Sequence, residues 1–587
     1  MKKFPPDHSL FPLPFPDGVH LRIFLKPEAV PQILLPYIRA GGDKYGFNAT
    51  LGLQDPASQE TDRKKLVIES SSPNVCDFQA KHLRSALLGE FISRFYEKSG
   101  WSVTRVNFPN DWGKPMALLE LGWEQYGNEE VLARDPTGHL MEVYRQIHEA
   151  LQPEETARKK LRDEINNKKT REEAQDLEQE VADLEGKGLL AARNTAFARL
   201  ENNEETVMSF FKRYRELIVE DYIKLYARLG IKFDEYSGES QVSHDKMLEI
   251  EQALKDKEIC KESEGAWIVD MRDHGAKSGA AIIRDRTGST AYALRDLAAV
   301  VDRAEKDGFD KMIYVVANDH NQHFSQIFTI LKGMGQAELA GKLEHVQFKK
   351  HTKPDNELGI GHKASTFLDQ WETAMKEVLK EDADAVALLG DSDETAKALA
   401  MSALVAQELS VKNTAEHAHD IKAGTSFKSG TGPELQKSYA RLCTTLRTLP
   451  RNAELSSEDY KTLGEDEDQT NLLRILAQYP DIITAAYRTH DPASILAYLV
   501  WVSKQLTGCL NEDDGEDEPA GATEEGGESA EAGGAADAVE EQSAKNPAAE
   551  GALYEAARKV LESGMTLLGI APIAKVEQER ADTPVAD

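Results

Sequence analysis

Between residues 61 and 375 the chain alternates short apolar runs with amphipathic stretches of helical period. The clearest run, residues 311–316, is almost continuously apolar, which is typical of a strand covered on both faces. Residues 65–69 and 101–106 have the same strand-like character, and residues 82–94 between them have the pattern of a helix. Strands and helices that alternate in this way form a parallel sheet with helices on both faces. We therefore predict an α/β fold with a doubly wound, Rossmann-like sheet, whose ligand lies at the carboxyl ends of the strands.

The composition excludes several classes of protein. The 587 residues are 40% hydrophobic and 29% charged, and the absence of any run of eighteen apolar residues argues against a membrane-spanning helix. The N-terminus lacks the apolar core of a secretory signal, and four scattered cysteines argue against disulfides or zinc and for a reducing cytosol. Residues 511–550 contain fourteen acidic residues and one lysine, a large share of the net charge of −31. We expect this acidic segment to be disordered, so the total charge is a poor guide to a binding face.

Residues 71–85 read SSPNVCDFQAKHLRS. This segment resembles the nucleotide-binding signature of arginyl-tRNA synthetases, class I enzymes whose version reads SSPNxxxxxHxGHLRS. Both ends are kept, but Gln79 and Lys81 replace a histidine and a glycine, and the spacer after Asn74 is one residue shorter. In the family the two imidazoles hold the phosphates of ATP, and the glycine lets adenine lie close to the backbone. The resemblance therefore implies a synthetase frame with damaged ATP chemistry.

Several further blocks carry the same resemblance. One of them matches the family's Gly-Asp-Trp-Gly block with Asn110 in place of the first glycine, and two match the paired blocks of the arginine pocket. Each block alone is a weak signal, but together they identify the chain as a divergent member of this family over most of its length. The blocks are residues 110–114, 235–240, 291–299, 309–316 and 552–569.

The resemblance implies two main domains. We expect a Rossmann-like catalytic domain over residues 61–384, with a charge-dense helical insert at residues 152–186. A helical anticodon-binding-like domain is expected over residues 385–587, interrupted by the disordered acidic insert at 511–550.

Residues 1–60 are expected to form a truncated N-terminal cap, with a strand at residues 21–25 and a helix at residues 28–40. In eukaryotic members of the family, the matching strand and helix close a larger domain that grips the tRNA.

The arginine pocket is expected on one helix. Tyr292 and Asp296 are one helical turn apart on the same face, and a carboxylate beside a phenol can hold a guanidinium. The family reads the arginine side chain at these two positions, and it places Asn74 and Glu69 beside the α-amino group of the substrate. His320 replaces a family glutamine near the substrate. The candidate catalytic bases are Glu69, His82 and His320.

A second family signature, MSTRKG before FLD, closes on the phosphates of ATP. This chain keeps FLD at residues 367–369 but has lost the Arg-Lys pair, so that Lys363 is the remaining candidate for a phosphate contact. Lys363 joins Gln79 and Lys81 as the residues of a degraded ATP-binding motif.

No metal site is expected from the spacing of possible ligands. His351 and His362 are isolated in the sequence, and His417 and His419 fit the polar surface of a helix.

Four functions fit this pattern. The first is an arginine–tRNA ligase with divergent motifs, and the second is a non-catalytic regulator that senses arginine or binds tRNA. The third is an arginine-containing cyclodipeptide synthase of the fungal kind, which joins arginyl-tRNA to a second aminoacyl-tRNA. The fourth is an interaction protein of a multi-synthetase assembly. We expect the third, because the arginine pocket is kept while both ATP elements are damaged.

The cyclodipeptide synthase hypothesis predicts which cofactors and partners the protein uses. A cyclodipeptide synthase receives arginine already activated as an ester, so no cofactor is required, whereas a ligase would need ATP and Mg²⁺. The expected partners are arginyl-tRNA and a second aminoacyl-tRNA, and neither DNA nor a membrane. We expect a cytoplasmic monomer.

Overall fold

The computed structural model describes residues 4–574 with the exception of residues 6, 27, 57–61, 75, 168–170, 276–278, 353–357, 451–452 and 511–545, and of the side chains of residues 166 and 171–174. The acidic segment that is expected to be disordered therefore lies outside the described residues, apart from residues 546–550. Within the described part of the chain, no helix combines the length and the apolar character needed to cross a membrane.

The N-terminal region begins with a hairpin of strands β1 (Phe15–Asp17) and β2 (His20–Arg22), which is followed by helix α1 (Ala29–Gly41). The helix expected at residues 28–40 is thus present. The strand predicted at residues 21–25 is present only as far as Arg22, and the prediction is wrong for residues 23–25, which lie outside the hairpin. Residues 23–25 are about half exposed, and no other described strand pairs with them.

The central part of the chain alternates strands and helices, with a group of helices between its third and fourth strands. Its elements are β3 (Lys65–Ser70), β4 (Asp77–Phe78), α2 (Ala80–Lys98), β5 (Ser102–Asn107), α3 (Lys114–Tyr126), α4 (Glu129–Arg134), α5 (Pro136–Asn166), α6 (Arg171–Glu185), α7 (Gly188–Glu201), α8 (Glu205–Arg228), β6 (Glu235–Tyr236), α9 (His244–Asp256), β7 (Lys261–Ser263), β8 (Ala266–Asp270), β9 (Ala280–Arg284), α10 (Tyr292–Asp307), β10 (Lys311–Ala317), α11 (Asn321–Gly333), α12 (Ala337–Lys342), β11 (Leu343–Phe348), β12 (Gly359–Ile360) and α13 (Ala364–Glu381).

Five of these strands form one parallel sheet in the order β11-β10-β3-β5-β6. The first strand in the chain, β3, lies in the middle of the sheet. Strands β5 and β6 follow on one side of it, and β10 and β11 lie on the other side. Side chains from both faces of β3 and β10 are buried, as their continuous apolar sequence requires. The predicted doubly wound α/β fold is confirmed, and its topological switch point lies between β3 and β10.

Two smaller features frame the sheet. Strands β7, β8 and β9 form an antiparallel sheet ahead of α10. Strand β12 pairs with β4 in an antiparallel fashion, which brings the region of the second signature next to the first. The charge-dense segment 152–186 includes the second half of α5 and all of α6, which pack against each other and are joined by an ion pair between Arg162 and Glu185.

The remainder of the chain is helical. Its elements are α14 (Ala383–Leu389), α15 (Asp393–Ser410), α16 (Ile421–Gly424), α17 (Gly432–Leu446), α18 (Ser457–Glu465), α19 (Glu467–Ala477), α20 (Tyr479–Thr489), α21 (Ala493–Cys509) and α22 (Pro547–Leu568). One apolar core runs from the sheet into these helices, so α2 packs against both.

Two histidines differ from their expected setting. His417 and His419 lie in the irregular segment between α15 and α16 rather than on a helix surface, and their side chains are only 7% and 6% exposed. His351, which is isolated in the sequence, contacts both of their rings. The interpretation as solvated surface residues is wrong because the fold packs this segment between α15 and the end of the sheet.

Candidate active site

A cavity of about 400 Å³ opens at the switch point of the sheet. Its size is in the range of pockets that enclose a small-molecule ligand, about 300–1,000 Å³. The floor comes from the carboxyl ends of β3 and β10, and the walls come from α2, α10 and α11. The lining residues are Glu69, Ser72, Asn74, Lys81, His82, Ser85, Phe108, Asn110, Glu239, Tyr292, Asp296, Val316, Ala317, His320, His323 and Phe324.

One wall carries the pair that is expected to read arginine. Tyr292 and Asp296 both line the cavity from α10, and the Tyr292 hydroxyl lies 3.5 Å from the Asn110 amide nitrogen. A carboxylate oxygen of Asp296 pairs with Nε2 of His323 on α11. Although burial opposes the charged imidazolium, the hydrogen bond to Asp296 raises the pKa of His323 above its usual value. Asp296, which is expected to bind a guanidinium, thus contacts an imidazole in this state.

Two buried carboxyl groups lie deeper in the cavity. Glu69 on β3 is 8% exposed and accepts a hydrogen bond of 3.3 Å from Arg303, and Glu239 accepts one of 2.6 Å from Arg295. Burial raises the pKa of Glu69 to about 7 against the opposing effect of Arg303. Burial likewise raises the pKa of Glu239 to about 8, although Arg295 lowers it. Both groups can therefore exchange protons close to neutral pH.

The start of α2 orients His82. Its Nδ1 accepts a hydrogen bond of 3.0 Å from the Gln79 backbone amide, and the Gln79 side chain caps the helix in return. Burial lowers the pKa of His82 to about 3, so the imidazole is neutral. Because Nδ1 is the acceptor, the proton is on Nε2, and His82 offers the cavity a hydrogen-bond donor. The Gln79 amide donates to Asp77 at 2.8 Å, and Gln79 does not line the cavity.

Positive charge gathers at the mouth of the cavity. Lys81 lies 3.7 Å from Asp319, and Lys350 forms an ion pair with the same carboxylate. His320 is 3.8 Å from Asp319, and burial lowers its pKa. Two lysines that share one carboxylate leave a net positive charge beside the N-terminus of α2, which is a setting that suits phosphate groups. These residues therefore fit a nucleotide through its phosphates.

The second signature does not reach this cavity within the described residues. Lys363 forms an ion pair with Asp135 at the start of α5, and it is not among the residues that line the cavity. Lys363 stays a proposed phosphate contact, and in this state Asp135 holds it elsewhere.

The structure adds residues that the sequence argument did not select. Glu239 lies in a block that matches the family, so a search of that block for buried acids could have found it. Asn110 is prominent because it replaces a glycine, and its Oδ1 is buried without a partner among the described atoms. His323 gave no signal of its own except its position one helical turn from His320.

Comparisons with known proteins place this geometry in a family. A family described as "tRNA synthetases class I (R), catalytic domain" matches residues 49–421, and one described as "DALR anticodon binding domain" matches residues 435–525. The cytoplasmic arginine–tRNA ligase of Saccharomyces cerevisiae is 34% identical over 567 residues, which cover 95% of this chain and 83% of the relative. The mitochondrial arginine–tRNA ligase of the same yeast is 30% identical and covers 95% and 78%.

Solved structures agree on the fold. Arginyl-tRNA synthetase from Plasmodium falciparum superimposes with a TM-score of 0.67 at 17% identity, covering 97% of this chain and 87% of that one. The synthetase from Thermus thermophilus has a TM-score of 0.64 at 15% identity and covers 96% and 88%.

Proposed function

This chain belongs to the class I arginyl-tRNA synthetase family, and on that premise we propose that it is an ATP-dependent arginine–tRNA ligase. One observation carries the proposal: a single cavity has a carboxylate and a phenol on its α10 wall and Lys81 on its α2 wall, where Lys81 shares Asp319 with Lys350. The α10 wall suits a guanidinium, and the α2 wall suits phosphates.

The expectation that no cofactor is required is wrong. The relatives that cover most of this chain are named arginine–tRNA ligases, and that reaction uses ATP and Mg²⁺. The replacements at Gln79 and Lys81 do not remove the positive charge beside the start of α2, because Lys350 also lies there. Lys350 adds a positive charge that no signature contains, since it follows β11 rather than α2.

We assign the contacts to the arginine substrate to four residues of the cavity. Asp296 and Tyr292 bind the guanidinium, and Asn74 with Glu69 lies where the α-amino group is expected. Glu69, with a pKa of about 7, can accept a proton from an α-ammonium group, whose pKa is about 7.7–8.0.

The α2 wall of the cavity holds the nucleotide. His82 Nε2–H and Lys81 are the donors that would hold phosphate oxygens there. ATP, when bound, supplies the activation of the arginine carboxyl group. His320 lines the same cavity, and its lowered pKa favours the neutral imidazole, which can accept a proton.

A second candidate is favoured by one observation at the mouth of the cavity. Lys81 stands where the family has glycine, so its side chain takes up space at the start of α2 that a bound adenine would otherwise use. A cyclodipeptide synthase would use the same arginine pocket for arginyl-tRNA. The α-amino group of a second aminoacyl-tRNA would break the arginyl ester and form an amide, releasing the tRNA hydroxyl, and a second aminolysis would close cyclo(Arg-Xaa).

The following experiment separates the two candidates. Purified protein is given arginine and ATP in a pyrophosphate-exchange assay, and separately a pool of charged tRNA followed by mass analysis. The ligase predicts arginine-dependent exchange and a raised KM for ATP in Lys81→Ala, whereas Lys397→Ala on α15 serves as the matched control. Absence of exchange together with formation of cyclo(Arg-Xaa) would refute the ligase and support the second candidate.

We also propose the remaining assignments. We divide the chain into a cap (1–60), a catalytic domain (61–384) and an anticodon-binding-like domain (385–587). The last of these would provide a second surface for tRNA. A cytoplasmic location is proposed, although the named relatives include both cytoplasmic and mitochondrial ligases. The chain is proposed to act as a monomer.

A further inference from the structure

Three imidazoles converge on one carboxylate at the junction of the sheet and the helical part. Glu408 on α15 is fully buried, and His351 Nε2 lies 2.8 Å from its Oε1. His417 Nε2 lies 3.1 Å from Oε2, and His419 Nε2 contacts Oε1. The three histidine side chains are 5–7% exposed. Ionisable side chains that are buried together are normally paired with one another or coordinate a metal.

The spacing of these atoms suits a small cation. Ligand atoms of His351, Glu408 and His417 all lie within 4.8 Å of one another. In a tetrahedral zinc site with bonds of about 2.0–2.1 Å, neighbouring ligand atoms are about 3.3 Å apart. Small movements of three side chains would therefore place a cation between them.

Two nitrogen atoms of this cluster have no hydrogen-bond partner among the described residues. They are the buried Nδ1 atoms of His351 and His417. Arg84 Nη1 lies 3.3 Å from His417 Nε2, but it is paired with the carboxylate, since it also lies 3.4 Å from Glu408 Oε2. A buried polar atom without a protein partner is commonly satisfied by a water molecule or an ion.

We propose that His351, Glu408 and His417 form a structural Zn²⁺ site, and that His419, whose Nε2 contacts the same carboxylate oxygen as His351, moves in as the fourth ligand. Three imidazole nitrogens and one carboxylate oxygen make a ligand set that zinc accepts and that Mg²⁺ and Ca²⁺ do not prefer. Arg84 neutralises part of the carboxylate charge, so the nitrogens provide most of the affinity. The ligands are buried and leave no open position, which distinguishes this site from a catalytic one.

The location gives the site a role in holding domains together. His351 follows the last strand of the sheet, whereas the other three ligands belong to α15 and the segment after it. Arg84 of α2 donates to the backbone carbonyls of Glu408 and Val411. Because α2 also carries His82 at its start, the zinc site fixes the helix that forms one wall of the cavity.

The first measurement is metal content. The full-length protein is passed through metal-free buffer, and zinc is counted by mass spectrometry; we expect about one Zn²⁺ per chain. Replacement by Co²⁺ should give the visible absorption of tetrahedral cobalt. A protein that retains no zinc and shows no such absorption on Co²⁺ addition would overturn the proposal.

The second measurement uses a variant that keeps the hydrogen bond. In His417→Gln the side-chain amide can still donate to Glu408, but it is a poor zinc ligand. We expect at least a tenfold loss of zinc affinity, since even partners of metal ligands typically contribute about 10–100-fold. The exposed His362→Ala is the control and should bind as the unaltered protein does.

A chelator should lower the thermal midpoint of the unaltered protein and of His362→Ala, but not that of His417→Gln. If His417→Gln and the unaltered protein bind zinc with equal affinity, the zinc binds elsewhere as an adventitious ion only. The cluster around Glu408 would then be a hydrogen-bonded junction without a metal, and the proposal would be refuted. The cobalt spectrum of the unaltered protein decides the matter if the variant does not fold.

Discussion

Asp296→Asn tests the arginine pocket while preserving its shape. The asparagine has the same size as the aspartate but no charge, so a bound guanidinium loses its ionic partner. Removal of one partner of a buried, hydrogen-bonded charge pair typically costs about 2–5 kcal/mol. The Asp296 side chain is 31% exposed and already shares its charge with His323, which favours the lower part of that range. We expect about 2–3 kcal/mol, or roughly 30- to 150-fold weaker binding of arginine.

Titration calorimetry with free arginine measures this loss directly. Citrulline is the matched ligand, because it has nearly the same shape as arginine and no charge. The unaltered protein should prefer arginine to citrulline, and Asp296→Asn should lose most of that preference. Asp302→Asn is the matched control, since Asp302 lies on the same helix with 25% exposure and pairs with Lys306 outside the cavity. Equal affinity of Asp296→Asn and Asp302→Asn for arginine would refute the assignment of this pocket.

Three further results are expected. Tyr292→Phe should weaken arginine binding by about 0.5–1.5 kcal/mol in the same calorimetric assay, because it removes one neutral hydrogen bond; a larger loss than in Asp296→Asn would reverse the proposed roles. Arginine affinity should increase with pH above 6.5, because His323, whose pKa is raised, loses its proton in this range and Glu239 becomes charged near pH 8. In Asp296→Asn the part of the increase that is due to His323 should move to lower pH. An affinity that does not change with pH would contradict this prediction. Replacing residues 512–544 by a short Gly/Ser linker should leave the thermal midpoint unchanged, since this composition cannot offset an ordering cost of about 1–2 kcal/mol per residue; a clear fall in the midpoint would show that the segment packs.

The sheet was predictable because its signal is local. Residues 101–106 mix apolar and β-branched residues with polar ones and form the strand Ser102–Asn107, and residues 311–316 are almost continuously apolar and form the strand Lys311–Ala317. Burial on both faces leaves such a run few alternatives. Residues 21–25 have a similar apolar pattern, but no strand of the described residues extends the ladder beyond Arg22. Strand propensity depends on the neighbouring strand, which a single segment does not specify.

The details of the site were less predictable because they depend on distant pairs. The ion pair of Lys363 with Asp135 joins residues 228 positions apart, and that of His351 with Glu408 joins residues 57 apart. Spacing along the chain gives no information about either pair. Tyr292 and Asp296 could be recognised as a pair because a single helical turn separates them.

Helix α2 has a consequence for the way the protein is made. Its Arg94 donates at 3.4 Å to the backbone of Thr566, which is 472 positions later in the chain, and Arg84 binds α15 about 324 positions later. Ribosomes add about 5–20 residues per second, so α2 emerges roughly 25–95 s before its last partner exists. Throughout that interval the apolar and charged sides of α2 that later face the helical part are uncovered. Nascent chains that stop before α22 should therefore bind chaperones through the first half of the protein, even though its sheet is already complete.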